Sequence, residues 1–372
     1  MVAGETSGDL LAGLLLGGFR QRWPTLRSAG IGGPRMAEHG FRAWWPHEKL
    51  AIRGYVEVLR HYPELSAIRR RLGDRLLKER PDAFIGVDAP DFNLNLETRL
   101  KVHGVKTIHF VSPSIWAWRG KRVHQIGKAV DHVLCIFPFE PALYARHGIP
   151  ASYVGHPLAD AIPMVPPRDS SRRALGIGDG DGVVALLPGS RRSEIEQIAP
   201  RLLAAAWLMQ KSRPLMRFLL PVVPGLSDMI VAIKARVAPA LRVDLIDGQS
   251  HQAMAASDLV LVASGTAALE AALFKRPMVI CYAMNALSWQ IMKRMQLQPW
   301  VGLPNILLEE FVVPELLQEA ATPQRIAAAG LQWLDDPQAC VRLAERFEAL
   351  HQRLRCNMAK AATRVVEHVL AQ

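Results

Sequence analysis

The sequence predicts a two-domain α/β fold with a helical C-terminal tail, and three observations carry that prediction. Its 372 residues exceed the size at which a single hydrophobic core keeps growing, so two domains of ordinary size are expected. Short apolar runs ending in Gly, Ser, Pro or Asp alternate with longer helix-like stretches, the pattern of a parallel sheet with crossover helices. Between Pro157 and Asp181 the segments AIPMVPPRDSSRR and GIGDGDG, rich in proline, glycine and charge, interrupt that alternation and mark a domain boundary.

Taken in order, strands are expected at Ala83–Val87, Thr107–Val111 and Val133–Ile136 in the first half. In the second half they are expected at Val183–Leu187, Phe218–Val222, Leu259–Ala263 and Met278–Tyr282. Two Rossmann-like units in tandem follow, over residues 1–165 and 166–325. Residues 326–372 form a helical tail expected to pack across the domains or onto a partner subunit; Pro323 suits a first helical turn after Thr322, and Asp335-Asp336-Pro337 breaks the run. No internal repeat is legible. Between Leu50 and Leu77, Tyr55, Val58, Leu59, Tyr62, Leu65, Ile68 and Leu72 recur at helical spacing among Arg53, Arg60, Arg69, Arg70, Arg71 and Arg75. An amphipathic basic helical pair, broken near Pro63, is expected there. Two uses fit it: an ordinary domain helix with one face in the core, or a surface that docks on anionic lipid through Arg53, Tyr55, Val56, Val58, Leu59, Tyr62 and Leu65.

Composition bounds the function classes. No stretch approaches the unbroken apolar run of about 20 residues that a membrane span needs. Four scattered cysteines without Cys-x-x-Cys spacing argue against a disulfide framework and a zinc site and fit a reducing compartment. The start MVAGETSGDL has no secretory pattern, so a cytoplasmic location is expected. Forty-five Lys and Arg against thirty-four Asp and Glu give a net charge of +11, which calls for an anionic partner: nucleic acid, an acidic lipid surface or a phosphorylated substrate.

The strongest local signal is LVLVASGTAALEAALFKRPMVI, residues 259–280, in which a buried strand runs into Ser264-Gly265-Thr266 and then an Ala-rich helix. A helix start offers unpaired backbone N–H groups and positive dipole, a site for a diphosphate, and Gly265 lets the ligand approach without a Cβ. Glu270, one turn further in, is placed to accept hydrogen bonds from ribose hydroxyls; a helix cap with a solvated glutamate is the alternative. A second loop, Leu187 to Glu194, also follows a strand and precedes a helix. There Gly189 and Ser190 supply donors, and Arg191 supplies a planar fork matched to phosphate oxygens. The loop lacks Walker A spacing, which makes an ATPase reading poor.

In the first half, Ala3-Gly4-Glu5-Thr6-Ser7-Gly8-Asp9 is a Gly-rich turn without the Gly-x-Gly-x-x-Gly dinucleotide fingerprint, which weakens an NAD or FAD reading. The strand AFIGVD ends in Asp88 at the C-terminal edge of a sheet, where α/β active sites are built. Asp88 is the candidate general base, because an attacking hydroxyl of very high pKa must shed its proton in the transition state; a structural role is the alternative, and Asp91 suits an N-cap. Ser112 to Arg119 carries Trp116, Trp118 and Arg119, aromatic faces that pack against sugars, against acyl chains or into a core. Val154-Gly155-His156-Pro157 sits where the chain leaves the first domain, and His156 there is a hinge, a ligand contact or a structural turn.

Seven strings in order, AGETSGD (3–9), VDAPDFN (87–93), VSPSIWAWR (111–119), VGHPLAD (154–160), LLPGSR (186–191), ASGTAALE (263–270) and LPN (303–305), closely resemble the bacterial lipid A disaccharide synthase family over nearly the whole chain. The resemblance implies a GT-B type fold, two Rossmann-like domains facing an interdomain cleft, with the donor nucleotide on the C-terminal half and the acceptor on the N-terminal half. It implies transfer from UDP-2,3-diacylglucosamine to 2,3-diacylglucosamine 1-phosphate, giving a β-1,6 disaccharide and UDP by one inverting displacement. By matching position, Asp88 looks like the base, Arg191 the diphosphate clamp, and Gly189, Ser190, Ser264, Gly265, Thr266, Glu270 and Asn305 the UDP-sugar contacts. Acceptor-side candidates are Glu5, Ser7, Gly8, Asp9, Trp116, Arg119 and His156. No metal or other cofactor is implied, although Asp179-Gly180-Asp181 mimics the letters of a metal-binding motif.

Both substrates carry acyl chains and phosphate, so peripheral attachment to the inner face of the inner membrane is expected, and the family's tail allows a homodimer. Members usually carry an apolar strand before the AGE turn, whereas only Met1-Val2 precede it here. That first strand is expected to be truncated or absent, exposing a central sheet position. Three rivals stand beside this reading. One is another UDP-N-acetylglucosamine transferase or epimerase of the same fold, and another is a non-catalytic lipid-binding protein. The third, a nucleic-acid binder, is disfavoured because the basic residues are dispersed and no recognition motif is present.

Overall fold

A computed structural model of the chain describes the backbone of residues 1–50, 55–178, 180 and 182–372 and, within these, the side chains of all but 55–61, 286–288 and 291. The chain divides into two compact units, Met1–Asp160 with Leu354–Gln372, and Ala161–Arg353. Both are doubly wound parallel sheets.

The first unit holds β1 (Val2–Ala3), β2 (Ala29–Gly32), β3 (Arg42–Pro46), β4 (Ala83–Val87), β5 (Lys106–Phe110), β6 (His132–Cys135) and β7 (Ala151–Tyr153). They lie in the order β3-β2-β1-β4-β5-β6-β7, every pairing parallel. The expectation of an exposed central position is corrected here. Val2 pairs with Ile31 on one side and Gly86 on the other, and Val2 and Ala3 are fully buried. Two residues suffice because neighbouring strands flank β1 on both edges and the following helix, Thr6–Arg22, packs over it. Apolar side chains of β1, β2 and β4 join Ile68, Leu72 and Leu76 in one core cluster.

Those last three residues lie on a single helix, Tyr55–Glu79, which continues through Pro63. The expected break near Pro63 is therefore corrected: proline forfeits one hydrogen bond and crowds the preceding turn, but the apolar stripe beyond it is anchored in the core. Ile68, Leu72 and Leu76 are each at most 7% exposed. The ordinary-helix reading thus holds for the second half. Of the lipid-contact candidates, Arg53 and the side chains of Tyr55, Val56, Val58 and Leu59 lie outside the described residues; Tyr62 is exposed and Leu65 half-buried.

The second unit holds β8 (Val183–Leu187), β9 (Arg217–Val222), β10 (Asp244–Asp247), β11 (Leu259–Ala263), β12 (Met278–Tyr282) and β13 (Glu315–Leu317), in the order β10-β9-β8-β11-β12-β13, all parallel. The central strands are apolar at every position because helices cover both faces; all of β8 and β11 is buried. Each fully buried Leu or Val there contributes about 1.5–3 kcal/mol.

The last helix, Met358–Leu370, belongs to the first unit and packs along Thr6–Arg22. Its start is fixed by the Asp160 carboxylate, which accepts from the Asn357 and Met358 amides at 2.9 and 2.6 Å. Gly18 permits the approach: a Cβ there would lie 2.7 Å from the Ala359 carbonyl oxygen. Among the described residues no helix is long and apolar enough to cross a membrane.

Candidate functional site

In an open parallel sheet the loops at the carboxyl ends of the strands, where strand order reverses, form a ligand crevice. In the second unit the reversal lies between β8 and β11, and the pairing of Leu187 with Val262 brings the two Gly-containing loops side by side. After β8 the chain turns at Gly189, whose φ of +111° suits glycine, and enters the helix Arg192–Ser212. A Cβ on Gly189 would lie 2.7 Å from Glu194 Oε2. That oxygen accepts from the Ser190 and Arg191 amides at 3.1 and 3.3 Å, while Oε1 accepts from the Arg191 guanidinium at 3.0 Å. The donors expected to meet phosphate thus converge on one carboxylate, an anion supplied by the chain itself. Arg191 and Ser190 are exposed and Glu194 half-buried.

After β11, Ser264 and Gly265 lead into the helix Thr266–Leu273, which no side chain caps. A Cβ on Gly265 would meet open space, and Gly265 and Thr266 are exposed. Ser264 donates to the Val301 carbonyl at 3.3 Å. Glu270 lies 3.4 Å from His251 Nε2 and raises that imidazole's pKa by hydrogen bonding, against the opposing effect of burial. Asn305 is fully buried and takes a structural place: its amide oxygen accepts from Val312 and Val313, and its NH2 donates to the Val313 carbonyl and Glu315. Tyr282, at the end of β12, was not singled out by sequence. Burial raises its phenol pKa and the Glu194 charge adds to this, with Arg191 opposing, so it faces the same pair.

In the first unit the reversal lies between β1 and β4. Gly4, Glu5, Gly8, Asp88, Ala89 and Pro90 line a cavity of about 190 Å³ there. Asp88 and Ala89 both adopt left-handed backbone, φ +51° and +44°. Such conformations cost energy in residues with a Cβ and cluster at functional sites. The strain is held from both ends: the Asp88 amide donates to the Phe110 carbonyl at 2.9 Å, and the buried Asn93 amide donates to the Asp88 carbonyl at 2.8 Å. Asp88 is half-buried. Glu5 starts the helix on the opposite wall and Ser7 is exposed, whereas Gly8 is packed against Ala3. Asp9 is buried and spends both oxygens on the Gly33, Arg35 and Met36 amides at 2.8–3.2 Å, fixing the loop after β2.

Beyond β5, β6 and β7 lie the remaining acceptor-side candidates, of which Trp116 and His156 both meet Phe137. Trp116 donates its indole N–H to Glu140 at 3.0 Å and meets Phe137 and Phe139 edge-on. His156 stacks on Phe137 at 5.5 Å, and burial lowers its pKa to about 4, so it is neutral. Arg119 lies over the Trp118 ring at 4.2 Å. Asp91, expected as an N-cap, instead pairs with Arg122 and lies 3.9 Å from Arg119. Glu140 escaped the sequence reading, since FPFE looks like an ordinary helix start and only the tertiary fold buries it. Burial pushes its carboxyl up to about 7, partly offset by donors from Trp116, Phe137 and Ser112.

Two doubly wound parallel sheets in tandem, each with Gly-containing loops at its reversal, define a chain of the GT-B type. Solved structures agree in fold: UDP-GlcNAc 2-epimerase from Neisseria meningitidis, bound to UDP-GlcNAc, is similar with a TM-score of 0.67 at 14% identity, covering 98% of this chain and 97% of that one. MurG from Acinetobacter baumannii is similar with a TM-score of 0.62 at 14% identity over 99% and 98%. At such identity the likeness carries the fold alone. The lipid-A-disaccharide synthetase family profile matches residues 1–366. Lipid-A-disaccharide synthase of Albidiferax ferrireducens is 58% identical over 100% of this chain and 96% of its own length, and that of Verminephrobacter eiseniae 55% identical over 100% and 97%. The chain belongs to the lipid-A-disaccharide synthetase family.

Proposed function

We propose that this chain joins UDP-2,3-diacylglucosamine to 2,3-diacylglucosamine 1-phosphate, forming the β-1,6-linked disaccharide 1-phosphate and UDP. The family match across almost the whole chain is the observation that carries this reading. In this scheme the UDP moiety sits at the reversal of the second sheet, where the Gly189–Arg191 loop and the start of Thr266–Leu273 supply donors. The diphosphate displaces the Glu194 carboxylate from the Ser190 and Arg191 amides and takes the Arg191 fork. Asp88 accepts the proton of the acceptor hydroxyl as its oxygen attacks the anomeric carbon opposite the leaving UDP, which inverts the configuration. Charge developing on the departing diphosphate is met by Arg191 and the helix-terminal amides.

The acyl chains call for collection at a lipid surface, and the exposed Tyr62 on an arginine-rich helix in a chain of net charge +11 supports peripheral docking on an anionic inner-membrane leaflet. A homodimer fits through exchange of the Met358–Leu370 helix, a partner's copy taking its place on Thr6–Arg22. The test of the reaction is UDP release from UDP-2,3-diacylglucosamine in the presence of detergent-dispersed acceptor. Acceptor-dependent release with disaccharide formed is the expected result. Folded protein that binds UDP and forms no disaccharide would point to a different acceptor, and absence of UDP binding would overturn the donor assignment.

A further inference from the structure

The acceptor-side cluster contains a buried carboxyl group that the reaction scheme does not use. Glu140 is 1% exposed at the start of the helix Glu140–Ala145, directly beyond β6. One oxygen accepts the Trp116 indole N–H at 3.0 Å and the other the Phe137 amide at 3.1 Å. Those donors belong to two different strand-end loops. The loop after β5 is itself strained, since Val111, a β-branched residue, has φ +71°. Its next residue, Ser112, shares a 2.8 Å hydrogen bond with the Tyr144 hydroxyl on the Glu140 helix. Phe137 and Phe139 lie parallel at 5.9 Å, and Trp116 stands edge-on to both. The carboxyl group is therefore the polar link that fixes the indole relative to the two phenyl rings.

We propose that Glu140 is a positioning residue of the acceptor half: by holding the Trp116 indole and the Phe137 amide together, it sets the aromatic wall against which the acylated acceptor is seated. The inference rests on the acceptor assignment made above. Ionised, the carboxylate accepts from both donors at once. Protonated, it loses its charge and its hydroxyl oxygen accepts more weakly, so one of the two bonds weakens and the wall loosens. The titratable groups facing it do not share this behaviour near neutrality. Burial raises the Cys135 thiol and, with Ser112 hydrogen bonding in opposition, the Tyr144 phenol; burial lowers His156, across Phe137, to about 4. Glu140, at about 7, is the group in this cluster that changes charge there.

The experiment uses full-length protein carrying 5-fluorotryptophan, with the Trp116 resonance assigned by Trp116→Phe. The expected result is a Trp116 fluorine shift that titrates with a midpoint near 7 and vanishes in Glu140→Gln. The same variant should raise the acceptor KM roughly tenfold, the loss of one charge-assisted hydrogen bond, while UDP affinity is unchanged. Should Glu140→Gln fail to fold, Trp116→Phe serves: removing a donor that favours the ionised carboxylate moves the acid limb of the acceptor KM profile to higher pH. A Trp116 signal that does not titrate, or an acceptor KM unmoved in these variants, overturns the proposal. The fluorine signal needs no substrate and reports the Glu140–Trp116 bond whatever the acceptor is; disaccharide formed with an acceptor KM unmoved in Glu140→Gln overturns the positioning role, whereas no disaccharide from the wild type overturns the acceptor assignment instead.

Discussion

The two sheet reversals are built from the same topology but opposite side-chain choices. At the reversal in the second unit the loop residues are glycines: Gly189 turns at φ +111°, and Gly265 faces open space. In the first unit the loop after β1 keeps Gly4 and Gly8, but the strand end across from it, after β4, carries side chains in left-handed backbone, Asp88 and Ala89. A phosphate cradle works largely through backbone amides, and a Cβ at the turn itself would stand in the way. In the proposed scheme a general base must bring its carboxylate, and the strain at that edge is held by Asn93 and the Phe110 carbonyl. At the two reversals themselves, strained side-chain-bearing residues thus mark the edge proposed for proton chemistry, and glycines mark the edge proposed to grip an anion.

Substitutions that break this contrast are expected to differ in size. The largest effect belongs to Asp88→Asn, which keeps the turn and removes the proton acceptor: disaccharide formation falls by about 10²–10⁴-fold in steady-state kinetics. Gly189→Ala places a Cβ against Glu194 in a backbone region that alanine resists. A loss of about 1–3 kcal/mol in chemical denaturation is expected, with weaker UDP binding. Glu194→Gln removes the internal anion from the Ser190 and Arg191 donors. The account predicts UDP binding roughly threefold tighter by calorimetry, the modest effect of an exposed ion pair; weaker binding would mean that Glu194 assists the nucleotide.

The smallest effect concerns His251. Its folded pKa is raised above 6.5 by Glu270, so the pair's contribution is fully present below 6.5 and is lost as pH rises through the raised value. His251 is half exposed, which holds the effect to a few tenths of a kcal/mol. Thermal melting against pH should show that small loss in the wild type and a flatter curve in His251→Gln.

The central strands were legible because burial on both faces makes them apolar at every position; Ala83–Val87, Val183–Leu187, Leu259–Ala263 and Met278–Tyr282 have the expected bounds. The strands that escaped notice are short or lie at edges. Arg42–Pro46 and Asp244–Asp247 carry exposed residues along an open edge, and Ala29–Gly32 is mostly glycine and alanine. The loops after β4, β8 and β11 could be named from strand ends and glycines. Glu140 and Tyr282 could not, because Trp116 in one case and the Arg191–Glu194 pair in the other reach them from distant segments. Glu194 did leave a signal: a glutamate at the third position of a helix is half of a capping box. Asn305 shows the reverse case, a residue in a family string whose side-chain bonds all go to the nearby residues Val312, Val313 and Glu315.

The division of labour between the two reversals is tested most directly by calorimetric titration of UDP into Asp88→Asn and Gly189→Ala side by side, each checked for folding. The account predicts wild-type UDP affinity in Asp88→Asn and markedly weakened affinity in Gly189→Ala. Loss of UDP binding in Asp88→Asn, or full binding in Gly189→Ala, would contradict it.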